Sequence, residues 1–412
     1  MVLDEFHERS VRADVSIAFL KELSRVREDL SLVVMSATID AGPIADYLGV
    51  PSVESEGRTY PVDVEYLDQP SDDPMPELVA RAVRDAIEAP DDDGGDILAF
   101  LPGAGSIERT VDRLEELSVT DGLDVRPLYG ALPPEAQDRA IEPGDRRKIV
   151  VSTNIAETSL TIEGVTTVVD SGRVKRVVSD TGSGLERLEE GHVSLASAEQ
   201  RAGRAGRTEP GRAYRLWTRA FEHRLDERET PELLRVDITG PVLEVIAWSG
   251  DDPRGFDWFE PPSERAIERA EELLAALGAI DREAHRVTEL GRRILDLPVH
   301  PRIGRALVEA ADRGCLRRVA SMVAVLSERD FVLSVDRGAP EWGCDLQFRA
   351  DVLDEVARGR TDGAASRGME VHVGRARRVK QVRDQLAGLL DGGDGRAQNR
   401  DREARKALAT GY

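Results

Sequence analysis

The 412-residue chain is 40% hydrophobic and carries a formal net charge of −22, with only two cysteines. That length supports two to four domains with substantial cores, while no stretch nears the roughly 18 uninterrupted apolar residues of a membrane span, and MVLDEFHERS lacks the basic and apolar regions of a secretory leader. Cys315 and Cys344 have no His or Cys neighbours at metal-ligand spacing, which argues against a disulfide framework and against bound zinc, and makes the reducing cytoplasm the default compartment. Net acidity on its own argues against a nucleic-acid partner, but only five of the 56 basic residues are lysine. Acid-rich, lysine-poor chains suit molar salt, where the Debye length falls to about 3 Å and acidic surfaces repel weakly. We read the charge as halophilic adaptation and leave nucleic-acid binding to be decided by local arginine clusters.

Met1-Val2-Leu3 reads as a strand that ends in the carboxylates Asp4 and Glu5, a pattern that can serve a metal or merely cap the N-terminus. The apolar run Leu32–Met35 feeds Ser36-Ala37-Thr38, hydroxyls able to relay hydrogen bonds from a strand end or simply to make a turn. Tyr60 to Asp68 reads as an extended link between domains. Pro76–Ala89 has the periodicity of a surface helix, and the acidic Asp91–Gly95 reads as a loop. Ile97–Leu101 is a strand turned by Pro102-Gly103 into a helix marked by Ile107, Val111, Leu114 and Leu117. Val125–Tyr129 and Lys148–Val151 are further strands, the second running into Ser152-Thr153-Asn154. This alternation predicts a parallel sheet covered on both faces, with ligands at the carboxyl ends of its strands.

Val174–Val193 reads as two extended runs around a Gly/Ser/Asp turn. In QRAGRAGR, Gln200, Arg204 and Arg207 fall at i, i+4 and i+7 and share one helical face. Gly203 and Gly206, costing about 1 kcal/mol each in a helix, make sense where another surface approaches closely. An arginine-rich surface helix laced with salt bridges is the plain alternative. A second competing role is a capping box over Ser197–Gln200, with Gln200 folded back onto the helix start. From Thr230 onward helices dominate. Pro231–Leu234 opens one and Pro241 restarts it, Trp258–Ser263 is a turn, and Ile267–Leu277 is strongly periodic. Short extended runs after these helices fit a winged helix or a generic three-helix domain. Pro298–Tyr412 reads as mostly helical, with a flexible break at Gly392-Gly393-Asp394-Gly395. Its basic helix His372–Asp384 either tracks phosphates through Arg375, Arg377, Arg378, Lys380 and Arg383 or forms a solvated face.

Taken in order, DEFHERS, SAT, FLPG, STNIAETSLTI and QRAGRAGR resemble the motifs of the DEAH-box helicases, and FEPPSERAIERAEELLAALGAI resembles their winged helix. The HrpB-like branch of that family is the best match. The resemblance implies an α/β fold of RecA-like parallel sheets, the first one partial (1–60) and the second complete (61–228). A winged-helix domain (229–297) and an α-helical ratchet-type bundle (298–412) follow. It implies ATP and Mg²⁺ as cofactors, RNA or DNA as partner and no membrane. By the same resemblance Asp4 and Glu5 hold the metal, Glu5 is the catalytic base, and His7 links to the Gln200–Arg207 helix. Ser36, Thr38, Thr161, Glu163 and Gly164 serve the nucleotide, Glu163 standing where many members have Asp. Thr153 and Asn154 border the nucleic acid, and Gln200, Arg204 and Arg207 reach the γ-phosphate. The hairpin at Val174–Val193 relates to one that helps separate strands in the family.

The phosphate-cradling pattern GxxxxGK[ST] occurs nowhere in the 412 residues. This reads as a chain that begins inside the first RecA-like domain and stops before an expected OB-fold. A separate upstream polypeptide supplying the P-loop half is one expectation. The alternative to the helicase is a non-catalytic fragment that binds nucleic acid or protein.

Overall fold

A computed structural model describes residues 1–37, 41–55, 60–90, 92–158, 160–179, 186–335, 344–359, 369–391 and 400–412. Thr38, the tip of the hairpin and the glycine-rich break at 392–395 lie outside the described residues. The chain divides into two compact units, Met1–Val236 with Trp258–Glu260, and Asp237–Asp257 with Pro261–Tyr412.

In the first unit, β1 (Val2–Leu3) and β2 (Val33–Val34) pair in parallel, Val2 opposite Val33 and Leu3 opposite Val34. Helix α1 (Val11–Val26) connects them, started by Ser10, whose hydroxyl accepts from the Ala13 amide at 3.2 Å. Phe6 is fully buried and meets the edge of Phe259 at 5.4 Å between ring centroids, while Arg9 lies over that ring at 4.7 Å and ion-pairs with Asp14 and Glu260. The turn at Trp258–Ser263 therefore returns an aromatic plug to the N-terminal segment.

The main sheet has six parallel strands: β3 (Val62–Tyr66), β4 (Asp96–Phe100), β5 (Asp124–Leu128), β6 (Lys148–Ser152), β7 (Val165–Asp170) and β10 (Gly211–Arg215). Their order across the sheet is β3-β10-β7-β4-β6-β5. The expected interdomain link at Tyr60–Asp68 is thus corrected: Val62–Tyr66 is an edge strand, recruited because β10 presents it a free parallel edge in register from Gly211 to Arg215. The central strands are apolar on both faces, as sheets covered on both sides require. Ile97, Ala99, Ile149 and Val151 pack beneath α3 (Met75–Ile87) and α4 (Ala104–Glu115). Leu98, Phe100, Val150 and Val168 pack on the other face against Ala140 of α5 (Pro134–Ile141) and Ala202 of α6 (Leu195–Gly203). Each of the buried Val, Leu, Ile and Phe side chains contributes on the order of 1.5–3 kcal/mol. The extended runs at 174–193 form the antiparallel pair β8 (Arg173–Ser179) and β9 (Glu186–His192).

In the second unit, helices Thr239–Ser249, Glu264–Ala276 and Glu289–Leu295 surround a short antiparallel pair, Ile280–Asp281 with Arg286–Val287, which is a winged helix. Among the described residues that follow, helices run over Pro301–Asp312, Leu316–Ser327, Asp345–Ala357, Val373–Gly388 and Arg400–Ala409, with an antiparallel pair Val332–Val335 and Met369–Val371 among them. Among the described residues three of the basic helix's five candidate side chains are paired, while Arg375 donates to the Asp330 carbonyl and Arg377 is exposed. Arg383 is 1% exposed and pairs with Asp354 and Asp384, Lys380 also pairs with Asp384, and Arg378 lies 3.5 Å from Glu328. Its spacing was legible, but its neutralising carboxylates come both from the helix itself, at Asp384, and from beyond it, at Asp354 and Glu328.

Candidate functional site

Helix α6 does not start as a capping box over Ser197–Gln200. Ser194 is the N-cap, its hydroxyl accepting from the Ser197 amide at 3.2 Å, so Ser197 lies inside the helix and its amide is already satisfied. Nor does the helix carry all three of Gln200, Arg204 and Arg207: it ends at Gly203, Arg204 is its C-cap, and Arg207 lies in the turn beyond. The glycines divide in the same way. A Cβ on Gly206 would stand 2.6 Å from the Tyr60 carbonyl oxygen, whereas one on Gly203 would meet nothing within 4 Å. Close approach thus explains Gly206 alone.

Arg201, passed over by the sequence reading, is 1% exposed and stitches the carboxyl ends of three strands. Its Nε donates to Glu157 at 2.8 Å, its Nη1 donates to Asp170 at 2.9 Å, and its guanidinium lies 4.9 Å from the Phe100 ring centroid. Burial opposes its charge, but Asp170 and Glu157 outweigh burial and raise its pKa. The signal was present: Ala198 and Ala202 mark the core face of the helix, and Arg201 sits beside that stripe.

Arg204 is also buried, at 6% exposure, but its partners are neutral. It donates to the backbone carbonyls of Glu157, Thr158 (2.8 Å) and Leu160 (2.5 Å). Burial, reinforced by repulsion from Arg207, lowers its pKa to about 10 despite the partial relief given by Glu157 and Glu5. Arg207 donates to the Thr161 hydroxyl at 2.7 Å, and burial lowers its pKa too, with Glu5 again opposing. Among the described residues no carboxylate makes an ion pair with either guanidinium. Two adjacent cations stand without a counter-charge in contact.

The carboxyl-end expectation holds for only part of the site. Thr153 and Asn154 follow β6 at its carboxyl end, where Asn154 opens a single 3₁₀ turn and is exposed. The connection from β6 to β7 then crosses the sheet face, so Gly164, with φ +85° and its carbonyl accepting from the Asp96 amide, lies at the amino edge beside exposed Glu163. Arg207 belongs toward that edge as well, because the Gly206 carbonyl accepts from the Tyr60 amide just before β3. Gly164 and Arg207 thus lie toward the amino edge, whereas Arg204 still reaches the Glu157 carbonyl, one 3₁₀ turn from Asn154, whose carbonyl accepts from the Glu157 amide.

The N-terminal segment reaches the same connection, since the Thr158 hydroxyl donates to Glu8 at 2.5 Å. Asp4 follows β1, and its carboxylate accepts from the Glu5 amide at 2.8 Å, while Glu5 has φ +52°, uncommon for a residue with a side chain. Among the described residues no hydrogen bond or ion pair joins His7 to the Gln200–Arg207 segment. Its Nδ1 accepts from the Ala37 amide at 3.2 Å, and its Nε2 lies 3.3 Å from Glu5, within ion-pair distance but off the line of a hydrogen bond. The short loop after β2 brings Ala37 closest. Ser36 is half-buried in that loop. Gln200 is half-buried on α6.

Residues 80–209 match the helicase conserved C-terminal domain, 270–299 the winged-helix helicase associated domain (HA2), and 300–388 the ratchet-like HA2 domain. The chain is 38% identical over 352 residues to the ATP-dependent RNA helicase HrpB of Escherichia coli strain K12, a match covering 83% of this chain and 43% of that protein. It is 35% identical over 411 residues to the pre-mRNA-splicing factor ATP-dependent RNA helicase prp22 of Schizosaccharomyces pombe, covering 95% of this chain and 35% of that one. A crystal structure of the E. coli DExH-box NTPase HrpB superposes with a TM-score of 0.78 at 33% identity, covering all of this chain and 46% of that one. A second, of the E. coli DEAH/RHA helicase HrpB, gives 0.77 at 31% identity over 100% and 48%. The chain spans less than half the length of these relatives.

Proposed function

Because the chain belongs to the DEAH-box helicase family, we propose that it forms part of an ATP-dependent helicase that translocates on or unwinds RNA or DNA. The observation that carries this reading is the uncompensated pair Arg204 and Arg207, next to Glu5 and the 157–161 connection. A buried guanidinium held only by carbonyls, beside an exposed one held by a hydroxyl, is poised for an anion, and a triphosphate supplies one with matching oxygens. Arg204 would exchange its carbonyl partners for the γ-phosphate, and Arg207 would exchange Thr161. Thr161, Glu163 and Gly164 would border the nucleotide, with Ser36 and Thr38 relaying from the N-terminal segment. Thr153 and Asn154, at the carboxyl end of β6, would border the nucleic acid.

Asp4 and Glu5 offer hard carboxylate oxygens at a strand end, a donor set that fits Mg²⁺. When bound there the ion would neutralise phosphate charge. Glu5 would orient the attacking water, and His7, held on Ala37, would fix the Glu5 carboxylate from the side. We read the acidic, lysine-poor composition as adaptation to a salt-rich cytoplasm; among the described residues no helix is long and apolar enough to cross a membrane.

The second reading is a module that binds nucleic acid or protein without hydrolysing ATP, and it turns on whether a GxxxxGK[ST] loop, which these 412 residues do not contain, is supplied. Without that backbone cradle and its lysine, arginine fingers have no positioned phosphate to act on. The discriminating measurement is nucleic-acid-stimulated ATP hydrolysis in molar KCl, with and without a second polypeptide carrying the P-loop region. We expect negligible turnover alone, restoration on addition, and loss of the restored activity in Arg207→Ala. Restored turnover that is indifferent to Arg207→Ala would refute the assigned role of the arginine pair.

A further inference from the structure

The winged-helix unit contains a second cluster of chemistry-bearing side chains, unrelated to the nucleotide reading. Asp252 lies in the turn after helix Thr239–Ser249, Glu271 within helix Glu264–Ala276, and His285 in the turn between the two wing strands. One ligand atom from each lies within 4.8 Å of the other two. Glu271 is 2% exposed, and its Oε2 accepts from Arg254 at 2.8 Å, but its Oε1 is buried without any hydrogen-bond partner. His285 Nδ1 is likewise buried and unpartnered. The two orphan atoms are 3.3 Å apart, close enough for an ion pair yet off the line of a hydrogen bond.

We propose that Asp252, Glu271 and His285 form a site for a divalent transition metal of the zinc class. Zinc bonds to nitrogen at about 2.0–2.1 Å and to oxygen at about 2.0–2.2 Å, so two tetrahedral ligands stand about 3.4 Å apart. The Oε1–Nδ1 separation matches that spacing. A shared apex also explains why neither atom points at the other: both aim at a third point between them. Arg254 spans Asp252 Oδ1 and Glu271 Oε2, at 3.0 and 2.8 Å, which fixes both carboxylates and leaves one oxygen of each for the metal. It cancels one of the two negative charges, so the site keeps a net charge of −1 before a divalent ion enters. The imidazole nitrogen favours zinc-class ions over magnesium or calcium. Asp252, with its side chain 41% exposed, provides the entry path. The expectation of no zinc rested on the cysteines, and this site uses none. Its structural role is to staple the wing, a two-stranded pair that is marginal by itself, to the helix beside it.

The test is calorimetric titration of the chelator-treated 412-residue chain with ZnCl₂, with Co²⁺ absorption reporting coordination. We expect binding of an equivalent of Zn²⁺ that disappears in His285→Asn, together with a Tm rise on metal addition that the variant lacks. Asparagine tolerates the φ of +47° at this position, so the variant should fold. Asp252→Asn, which keeps the cap on the Arg254 amide, should weaken binding at least tenfold. Equal stoichiometry in the parent and His285→Asn, or no binding by the parent, would overturn the proposal.

Discussion

Arg201 and Arg204 are three residues apart on the same buried element, yet they are opposite kinds of arginine. Arg201 is met by two carboxylates and an aromatic face, and its charge is balanced within the fold. Arg204 is nearly as buried but is met by three carbonyls, with a second arginine beside it. Hydrogen bonds to carbonyl dipoles satisfy the N–H donors without cancelling the charge. A balanced buried cation is a structural part, since removing it strands its partners. An unbalanced one is held at a cost the fold recovers only when an anion arrives. Equal burial therefore says little about role; the charge of the partners decides it.

The largest effect expected is on stability, at Arg201. Arg201→Ala leaves Glu157 and Asp170 buried without their cation, and such losses cost about 3–5 kcal/mol. Urea denaturation in molar KCl should show this as a clear drop in the midpoint. Little change would mean that the two carboxylates are solvated or protonated, and the contrast with Arg204 would collapse. Arg204→Ala should cost less, about 1–3 kcal/mol for three carbonyls left short of donors, because it also relieves a desolvated charge. The sharper difference is anion response. Tripolyphosphate at constant ionic strength should raise the Tm of the parent and of Arg201→Ala, but not of Arg204→Ala. An equal rise in Arg204→Ala would show that the anion binds elsewhere.

Much of this was readable beforehand, and the misses have a common cause. Strand-helix alternation, the apolar runs at Ile97–Leu101 and Lys148–Val151, and the hairpin runs are local patterns, and the sheet they predicted is the one that forms. Motif spacing likewise marked Arg204 and Arg207 as a pair. What failed needed long-range partners. Val62–Tyr66 looked like a linker because its strand status depends on β10, far along the chain. Arg383 looked like a phosphate contact because Asp354 lies on another helix. Helical spacing placed Arg207 on α6, but the turn after Gly203 is set by Tyr60 and Val62 pressing on Gly206. The carboxyl-end rule assumes that ligand residues follow strands directly, whereas Thr161 to Gly164 belong to a connection that has already crossed the sheet.

The two glycines that each precede one arginine of the pair turn the comparison into its finest test. Gly206→Ala forces a methyl group to within 2.6 Å of the Tyr60 oxygen and 2.7 Å of Val62 Cγ2, both on the edge strand or its lead-in. Backbone at that distance cannot yield cheaply, and overpacking of this kind costs about 1–3 kcal/mol. The turn would move with it, carrying Arg207 off Thr161, so the tripolyphosphate response should weaken together with stability. Gly203→Ala meets open space at the last residue of α6, where alanine is the better helix former. It should raise stability by up to about 1 kcal/mol and leave the anion response unchanged. Paired melts of the two variants, with and without tripolyphosphate, separate the effects. A loss of anion response in Gly203→Ala would mean that the pair depends on flexibility at the helix end rather than on the fixed turn.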